Sequence, residues 1–265
     1  MADAFSDKVV WITGASSGIG EALALALAAK GARLVLSARN RESLEQVSTS
    51  CMQAGAADCM VLPLDLVQQD NYPSLVQEVV SRFKRIDILV NNGGVSQRSA
   101  FKDTPMERYR ELMEINFFGA VALTKAVLPQ MLQQQNGHIV VMSSIVGKIG
   151  SPKRTGYAAS KHALHGFFDS LRAEVYNDHV QVLLVCPGFI KTNVSVNALS
   201  ADGTPTNQMD KNQENGMEPM VLAEKILAAI TKGKHEIYVG GKEILTVHIK
   251  KFFPRLLSKI IMKRN

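Results

Sequence analysis

One doubly wound α/β domain, with a mostly parallel sheet of seven strands flanked by helices, is what this sequence predicts on three observations. Short apolar runs alternate with helix-period segments along most of the chain. Several runs are near-continuous in Val, Ile and Leu, the pattern of strands covered by helices on both faces. A glycine-rich turn follows the first run and opens the first helical segment, as it does in nucleotide-binding sheets.

The strand-like runs fall at 8–13, 33–37, 59–64, 86–91, 138–143, 180–186 and 236–239. Helical periodicity fills 18–30, 40–54, 71–83, 105–135, 154–178 and 219–232. Strict alternation of the two argues for right-handed βαβ units in one open sheet. Residues 189–217 break the rhythm, being polar and showing neither period. A long segment after a late strand lies near the ligand crevice of such a sheet, so a substrate lid is expected there. The domain is thus expected over 1–241, and a distinct tail over 242–265.

With 265 residues, 46% hydrophobic and 20% charged, the chain has ordinary globular composition. Three cysteines (Cys51, Cys59, Cys186) show no metal-ligand spacing and read as reduced thiols. Asp3 and Asp7 leave no room for an apolar leader, and no run reaches the roughly 18 apolar residues of a membrane span. An intracellular location is expected, either cytoplasmic or peripheral on the endoplasmic reticulum membrane. The net charge of +6 sits wholly in 242–265, where seven basic residues face one acid, Glu243. A basic nucleic-acid surface is therefore not a property of the domain.

The strand ends carry the chemistry. Thr13-Gly14-Ala15-Ser16-Ser17-Gly18-Ile19-Gly20 joins the first strand to the first helix. Gly14 permits the turn, Gly18 lets a pyrophosphate approach, and Gly20 allows close helix packing. The second strand ends Leu36-Ser37-Ala38-Arg39-Asn40-Arg41, with no acid to bind a ribose 2′-hydroxyl and with Arg39 placed for a 2′-phosphate. NADP(H) is favoured, with NAD(H) as the alternative. Asp65 closes the third strand, where it would accept from an adenine amino group or cap the next turn. Asn91-Asn92-Gly93-Gly94 closes the fourth, small enough for adenosine to lie against it.

Tyr157 and Lys161 stand four apart, on one face of a helix. An ammonium one turn away favours the phenolate and suits the tyrosine to proton transfer. His162 and His165, three apart without an acidic partner at useful spacing, point to packing rather than to metal. Gln97, Arg98, Ser99 and Lys102 border either the substrate site or solvent.

In these motifs the chain resembles the short-chain dehydrogenase/reductase family over nearly all of 7–241. The resemblance implies that Gly14, Ser16, Ser17, Gly18, Ile19, Gly20 and Asn92 bind the dinucleotide. It implies that Asn116 holds a proton-relay water. Ser144, thirteen residues before Tyr157, would orient the substrate. Pro187, Gly188 and Thr192 would meet the nicotinamide end, and Lys161 its ribose. The run Tyr157-Ala158-Ala159-Ser160-Lys161-His162-Ala163, with Thr192-Asn193-Val194-Ser195-Val196-Asn197-Ala198, is similar to the member 7 and 7B branch. That branch implies a lipophilic carbonyl or alcohol substrate, such as a steroid, a retinoid or a lipid ketone. A homo-oligomer is expected, with the helices at 105–135 and 154–178 as a two-fold face. The rival is a non-catalytic dinucleotide sensor or scaffold of the same fold.

A helix starting at Pro254 would be basic and amphipathic. Two readings of Leu256, Leu257, Ile260 and Ile261 stand level: a membrane interface, or a cover for the protein's own core or a subunit contact.

Overall fold

The computed structural model describes residues 3–262. Lys263 and Arg264, two of the tail's cations, lie outside the described residues. Seven strands form one sheet, in the order β3-β2-β1-β4-β5-β6-β7, and every pairing is parallel. They are β1 Val9–Thr13, β2 Arg33–Ser37, β3 Asp58–Val61, β4 Ile88–Asn91, β5 Gly137–Met142, β6 Val180–Pro187 and β7 Glu236–Val239. The order reverses between β1 and β4, so a crevice opens at their carboxyl ends.

Helices cover both faces. On one lie α1 (Gly18–Ala28), α2 (Arg41–Gln53) and α8 (Pro219–Thr231), burying Leu23, Leu27, Leu44, Leu222 and Ile226 against Val10, Ile12, Leu34 and Leu36. On the other, α3 (Tyr72–Phe83), α5 (Gly119–Gln134) and α6 (Thr155–Glu174) bury Val79, Leu123, Val127, Leu164 and Phe168 against Trp11, Val35, Leu89 and Val141. This double burial explains why the strands read as unbroken apolar runs rather than as alternations.

The helical stretch expected at 105–135 is three pieces. A straight α4 (Met106–Met113) gives way to a π-turn, Glu114–Phe118, before α5 resumes. A π-bulge re-aims the side chains it carries and often marks a functional site. The whole stretch Met106–Gln134 is long and apolar enough to cross a membrane. Here it lies on the sheet, with Leu112, Leu123, Val127 and Met131 fully buried.

Past β6 the chain crosses the carboxyl edge of the sheet as a loop with one helical turn, α7 (Lys211–Glu214). The tail holds two helices, α9 (Leu245–Phe252) and α10 (Pro254–Met262). Sequence marks the second alone, from its start at Pro254. Leu257 of α10 is buried, whereas Phe252, Phe253, Leu256 and Met262 are exposed. One face of α10 thus covers the protein, and the opposite face meets solvent.

Candidate functional site

A single cleft of about 1710 Å³ runs along the carboxyl ends of the strands. Its floor is the glycine loop. Gly14 has a φ of +64°, a left-handed conformation that a side chain would strain. At Gly20 a Cβ would lie 2.2 Å from the Gly14 carbonyl oxygen, so only glycine lets α1 start this close to the loop. Ser17 caps α1 without a side-chain hydrogen bond, which leaves the first-turn amides of α1 facing the cleft. Free amides and the positive end of the helix form a cradle for phosphate groups.

The walls follow the strand order. Arg39 after β2 is exposed at the rim. Asp65 lines the cleft and also accepts from the Val67 amide, so it caps the turn while its other oxygen stays available. The Asn92 amide donates to the carbonyls of Thr13 (2.9 Å) and Gly14 (3.2 Å) and so ties the end of β4 to the glycine loop. Pro187, Gly188 and Thr192 line the far end, and Thr192 lies across from Gly18. Ser16 and Ile19 complete the floor.

Ser144, Tyr157 and Lys161 converge on one wall. Ser144 follows β5, and its hydroxyl accepts from the Val146 amide at 3.2 Å and faces Tyr157. Ser143 turns inward, with its hydroxyl donating to the Lys161 carbonyl and meeting His165 Nε2 at 2.9 Å. The neighbouring serines therefore do different work. Lys161 is buried, and its ammonium donates to the Met142 carbonyl at 2.7 Å and stands 5.8 Å from the centroid of the Tyr157 ring. Burial pulls the Lys161 pKa down to about 8, against a small opposing effect of Cys186. Burial raises the pKa of Tyr157, while Arg154 and then the Ser144 hydroxyl lower it.

Asn116 lies just behind these three, its Oδ1 and Lys161 Nζ both close to Gly94. It sits on the π-turn, and its side chain accepts from the Val95 amide (2.8 Å) and donates to the Val95 carbonyl (2.9 Å) and Ser160 Oγ (3.1 Å). Sequence resemblance implies that this residue holds a water. Its side chain braces the loop at Gly94 and Val95, and these bonds leave its backbone carbonyl outside the network.

The structure gives several residues roles that sequence did not assign. Gln97 accepts from the Gly156 and Tyr157 amides and so caps α6 from another loop. Arg98, Arg154 and Asp210 form a charged cluster in the cleft wall. Glu243, the lone acid of the tail, accepts from the amides of Phe189 and Gly241 at 2.9 Å each, pinning the chain as it leaves β6. Gln97 and Arg98 stood out in the sequence as neighbours of the site, whereas Arg154 and Asp210 left no signal there.

Behind the site, His165, Cys186 and Glu236 bring ligand atoms within 4.8 Å of one another. Lys148 pairs with Glu236 at 2.8 Å, and Ser143 meets the imidazole, so this trio works as a polar network under the sheet.

The dinucleotide expected from sequence fits what is present. The cradle would hold its phosphates, Arg39 a 2′-phosphate, Asp65 and the strand ends its adenosine, and the Pro187 to Thr192 turn its nicotinamide end. Residues 8–203 match the short chain dehydrogenase family. The chain is 41% identical over 261 residues to the dehydrogenase/reductase SDR family protein 7-like of Drosophila melanogaster, covering 97% of this chain and 80% of that one. It is also 41% identical over 264 residues to the rat (Rattus norvegicus) dehydrogenase/reductase SDR family member 7B, at 97% and 81% coverage. Among solved structures it resembles an alcohol dehydrogenase of Thermococcus sibiricus complexed with 5-hydroxy-NADP. That match has a TM-score of 0.77 and 27% identity, and covers 89% of this chain and 97% of the other.

Proposed function

The chain belongs to the short-chain dehydrogenase family, an oxidoreductase family working on alcohols and carbonyls, and on that premise we propose an NADP(H)-dependent enzyme interconverting a lipophilic ketone or aldehyde and its alcohol. The observation that carries this reading is the shared cleft of the glycine loop and the Ser144–Tyr157–Lys161 wall. The bound dinucleotide supplies or takes up the hydride; the chain's own residues do the rest. Ser144 Oγ donates to the substrate oxygen and stabilises charge growing there. Tyr157 Oη gives that oxygen its proton in reduction and takes it back in oxidation. Lys161 holds a positive charge near the ring, and its ammonium would hydrogen-bond the nicotinamide ribose of a bound dinucleotide. Asn116 keeps Val95 and Ser160, and through them this wall, in register.

Arg39 supports the choice of NADP(H): it is exposed at the rim, and among the described residues no ion pair engages it. Leu199, Met220, Leu257, Ile260 and Ile261 support a lipophilic substrate, since they supply apolar wall around the outer cleft. Two surfaces extend the reading. Phe118 and Phe167, exposed on the α5 and α6 side, would meet a second copy of this chain. Phe252, Phe253, Leu256 and Met262, flanked by Lys250, Lys251, Arg255 and Lys259, would rest on an anionic membrane.

The test is NADPH oxidation across a panel of lipophilic aldehydes and ketones. Turnover is expected, and replacing Arg39 with Asp is expected to invert the NADPH-over-NADH ratio of kcat/KM. No turnover of any member would sink the enzymatic reading, and an unchanged ratio the role of Arg39. Vesicles containing anionic lipid should carry down the protein, and the double change Phe252→Ser with Phe253→Ser should release it. Equal sedimentation of the two would end the membrane reading.

A further inference from the structure

Tyr157 stands in the first turn of a helix that has no cap of its own. α6 begins at Thr155, and the residue before it, Arg154, makes no side-chain cap bond. The Ala158 amide is the first to find a helix carbonyl, that of Arg154 at 2.7 Å. The amides of Thr155, Gly156 and Tyr157 therefore precede the ladder. Gly156 adds backbone freedom to the same turn. It is glycine for want of space, since a Cβ there would lie 2.8 Å from both Leu112 Cδ1 and Tyr109 Cδ1. An uncapped turn of this kind frays, and fraying would displace the phenol.

Gln97 supplies the missing cap from the loop after β4. It is 1% exposed, and its Oε1 accepts from the Gly156 amide at 2.8 Å and the Tyr157 amide at 3.2 Å. These are the second and third amides of the helix, the donors that an N-cap side chain takes. Its Nε2 donates to Ser99 Oγ at 3.0 Å, and Ser99 Oγ meets the Thr104 hydroxyl at 2.7 Å. Only this orientation of the side-chain amide sets an acceptor against two N–H donors.

We propose that Gln97 is a positioning residue acting through Tyr157: it caps α6 from outside the helix and so fixes where the phenol stands in the cleft. Ser96 and Arg98 on either side line the cleft, whereas Gln97 does not. Its place is therefore behind the tyrosine and not against a ligand.

A cap borne by the helix itself would move with the turn it caps. Gln97 belongs to a loop that is tied down on two sides. The Ser99 amide donates to the Lys153 carbonyl at 3.1 Å, just before α6. The Arg98 amide donates to the Leu199 carbonyl and the Leu199 amide to the Ser96 carbonyl, each at 2.9 Å, which joins the loop to the segment over the cleft. Gln97 thus refers Tyr157 to the cleft as a whole. Proton transfer depends on such placement, because a shift of about 1 Å can cost a hundredfold in rate. This meaning for catalysis rests on the function proposed above; the capping claim does not.

The experiment compares two variants of the whole protein. Gln97→Met keeps the length and removes the acceptor; Gln97→Glu keeps an oxygen for both amides. Amide hydrogen exchange is read by NMR at Gly156 and Tyr157, with kcat and NADPH affinity measured on the same proteins. In Gln97→Met, exchange at both amides should quicken by about tenfold, while Leu164 and Phe168 further along α6 exchange as in the parent. Its kcat should fall by about tenfold or more, and NADPH affinity should stay within about twofold. Gln97→Glu should bring exchange and kcat back to within about threefold of the parent, since a carboxylate also suits a helix N-terminus. A merely structural cap would lower the melting point alone and leave kcat of the folded variant unchanged.

Unchanged exchange at Tyr157 in Gln97→Met overturns the proposal, as does an unchanged kcat beside faster exchange. Gln97→Glu impaired as deeply as Gln97→Met also overturns it, because packing and not the acceptor would then hold the turn. Should Gln97→Met fail to fold, Gln97→Asn, which holds the same amide one methylene short, is judged by the same criteria. If the parent turns over no carbonyl, the functional reading falls, and exchange at Tyr157 with its recovery in Gln97→Glu decides the placement of the phenol by itself.

Discussion

The two ends of the cleft are built from different materials. The glycine loop recognises with backbone: free amides, a left-handed turn and an absent Cβ, with no charged side chain of its own between Thr13 and Gly20. The opposite wall works with side chains, Lys161 and His165 buried and Tyr157, Arg154, Asp210 and Glu236 half-buried. A backbone site is insensitive to pH and intolerant of volume. A side-chain site is the reverse, because its members change charge and each answers to its neighbours.

The largest expected effect separates the two ends. Tyr157→Phe removes the proton donor and should lower turnover by about a thousandfold, within the usual range for a lost general acid. NADPH affinity, followed by fluorescence titration, should stay within about twofold, since the loop is untouched. Loss of cofactor binding in a folded variant would show that the ends are not independent.

Acid sensitivity should belong to the side-chain end. Burial and then the Lys148 cation push the His165 pKa from 6.5 down to about 4. The unfolded chain binds this proton below about 6.5 and the folded one only below about 4, so stability falls as pH drops through that window. The full span is worth about 3 kcal/mol. Denaturant unfolding at neutral pH and near pH 4.5 should show a loss smaller by about 2 kcal/mol in His165→Asn than in the parent. Equal losses would place the acid lability elsewhere.

Volume sensitivity should belong to the loop. Gly20→Ala places a Cβ against the Gly14 carbonyl. Overpacking of this kind costs about 1–3 kcal/mol, so tenfold or greater weakening of NADPH binding is expected. An unchanged affinity would mean that the loop yields without consequence.

The smallest effect concerns the outer wall. Leu257 is 3% exposed and anchors α10. Leu257→Ala should leave the global melting point nearly unchanged while speeding amide exchange in α10, because few contacts of the sheet depend on it. Equal protection in both proteins would show that Leu257 is not the anchor.

Much of this was legible in the chain itself. The seven strands, the glycine turn and the Tyr157–Lys161 face depend on local periodicity and short spacings, which sequence records directly. The glycine-loop end was readable for the same reason, as it is one contiguous turn. The charged end was not. Arg98, Arg154 and Asp210 come from three segments, and their 112-residue separation carries no local signal. Glu243 is similar: it looked like an exception in a basic tail, and folding brings it to the start of the loop after β6.

The tail shows the division most clearly. Sequence established that α10 is amphipathic and basic, but an amphipathic helix does not say what its apolar face will cover. Folding settled this by burying Leu257 against the cleft and leaving Leu256 in solvent. Asn116 is similar: sequence pointed to the residue, and only the fold shows the π-turn that carries it and its bonds to Val95. Sequence by itself determined the fold, the family and the glycine turn, because short-range geometry suffices for each. Tertiary structure alone decided which charges meet around Tyr157, because electrostatic neighbours are set by distance in space and not along the chain.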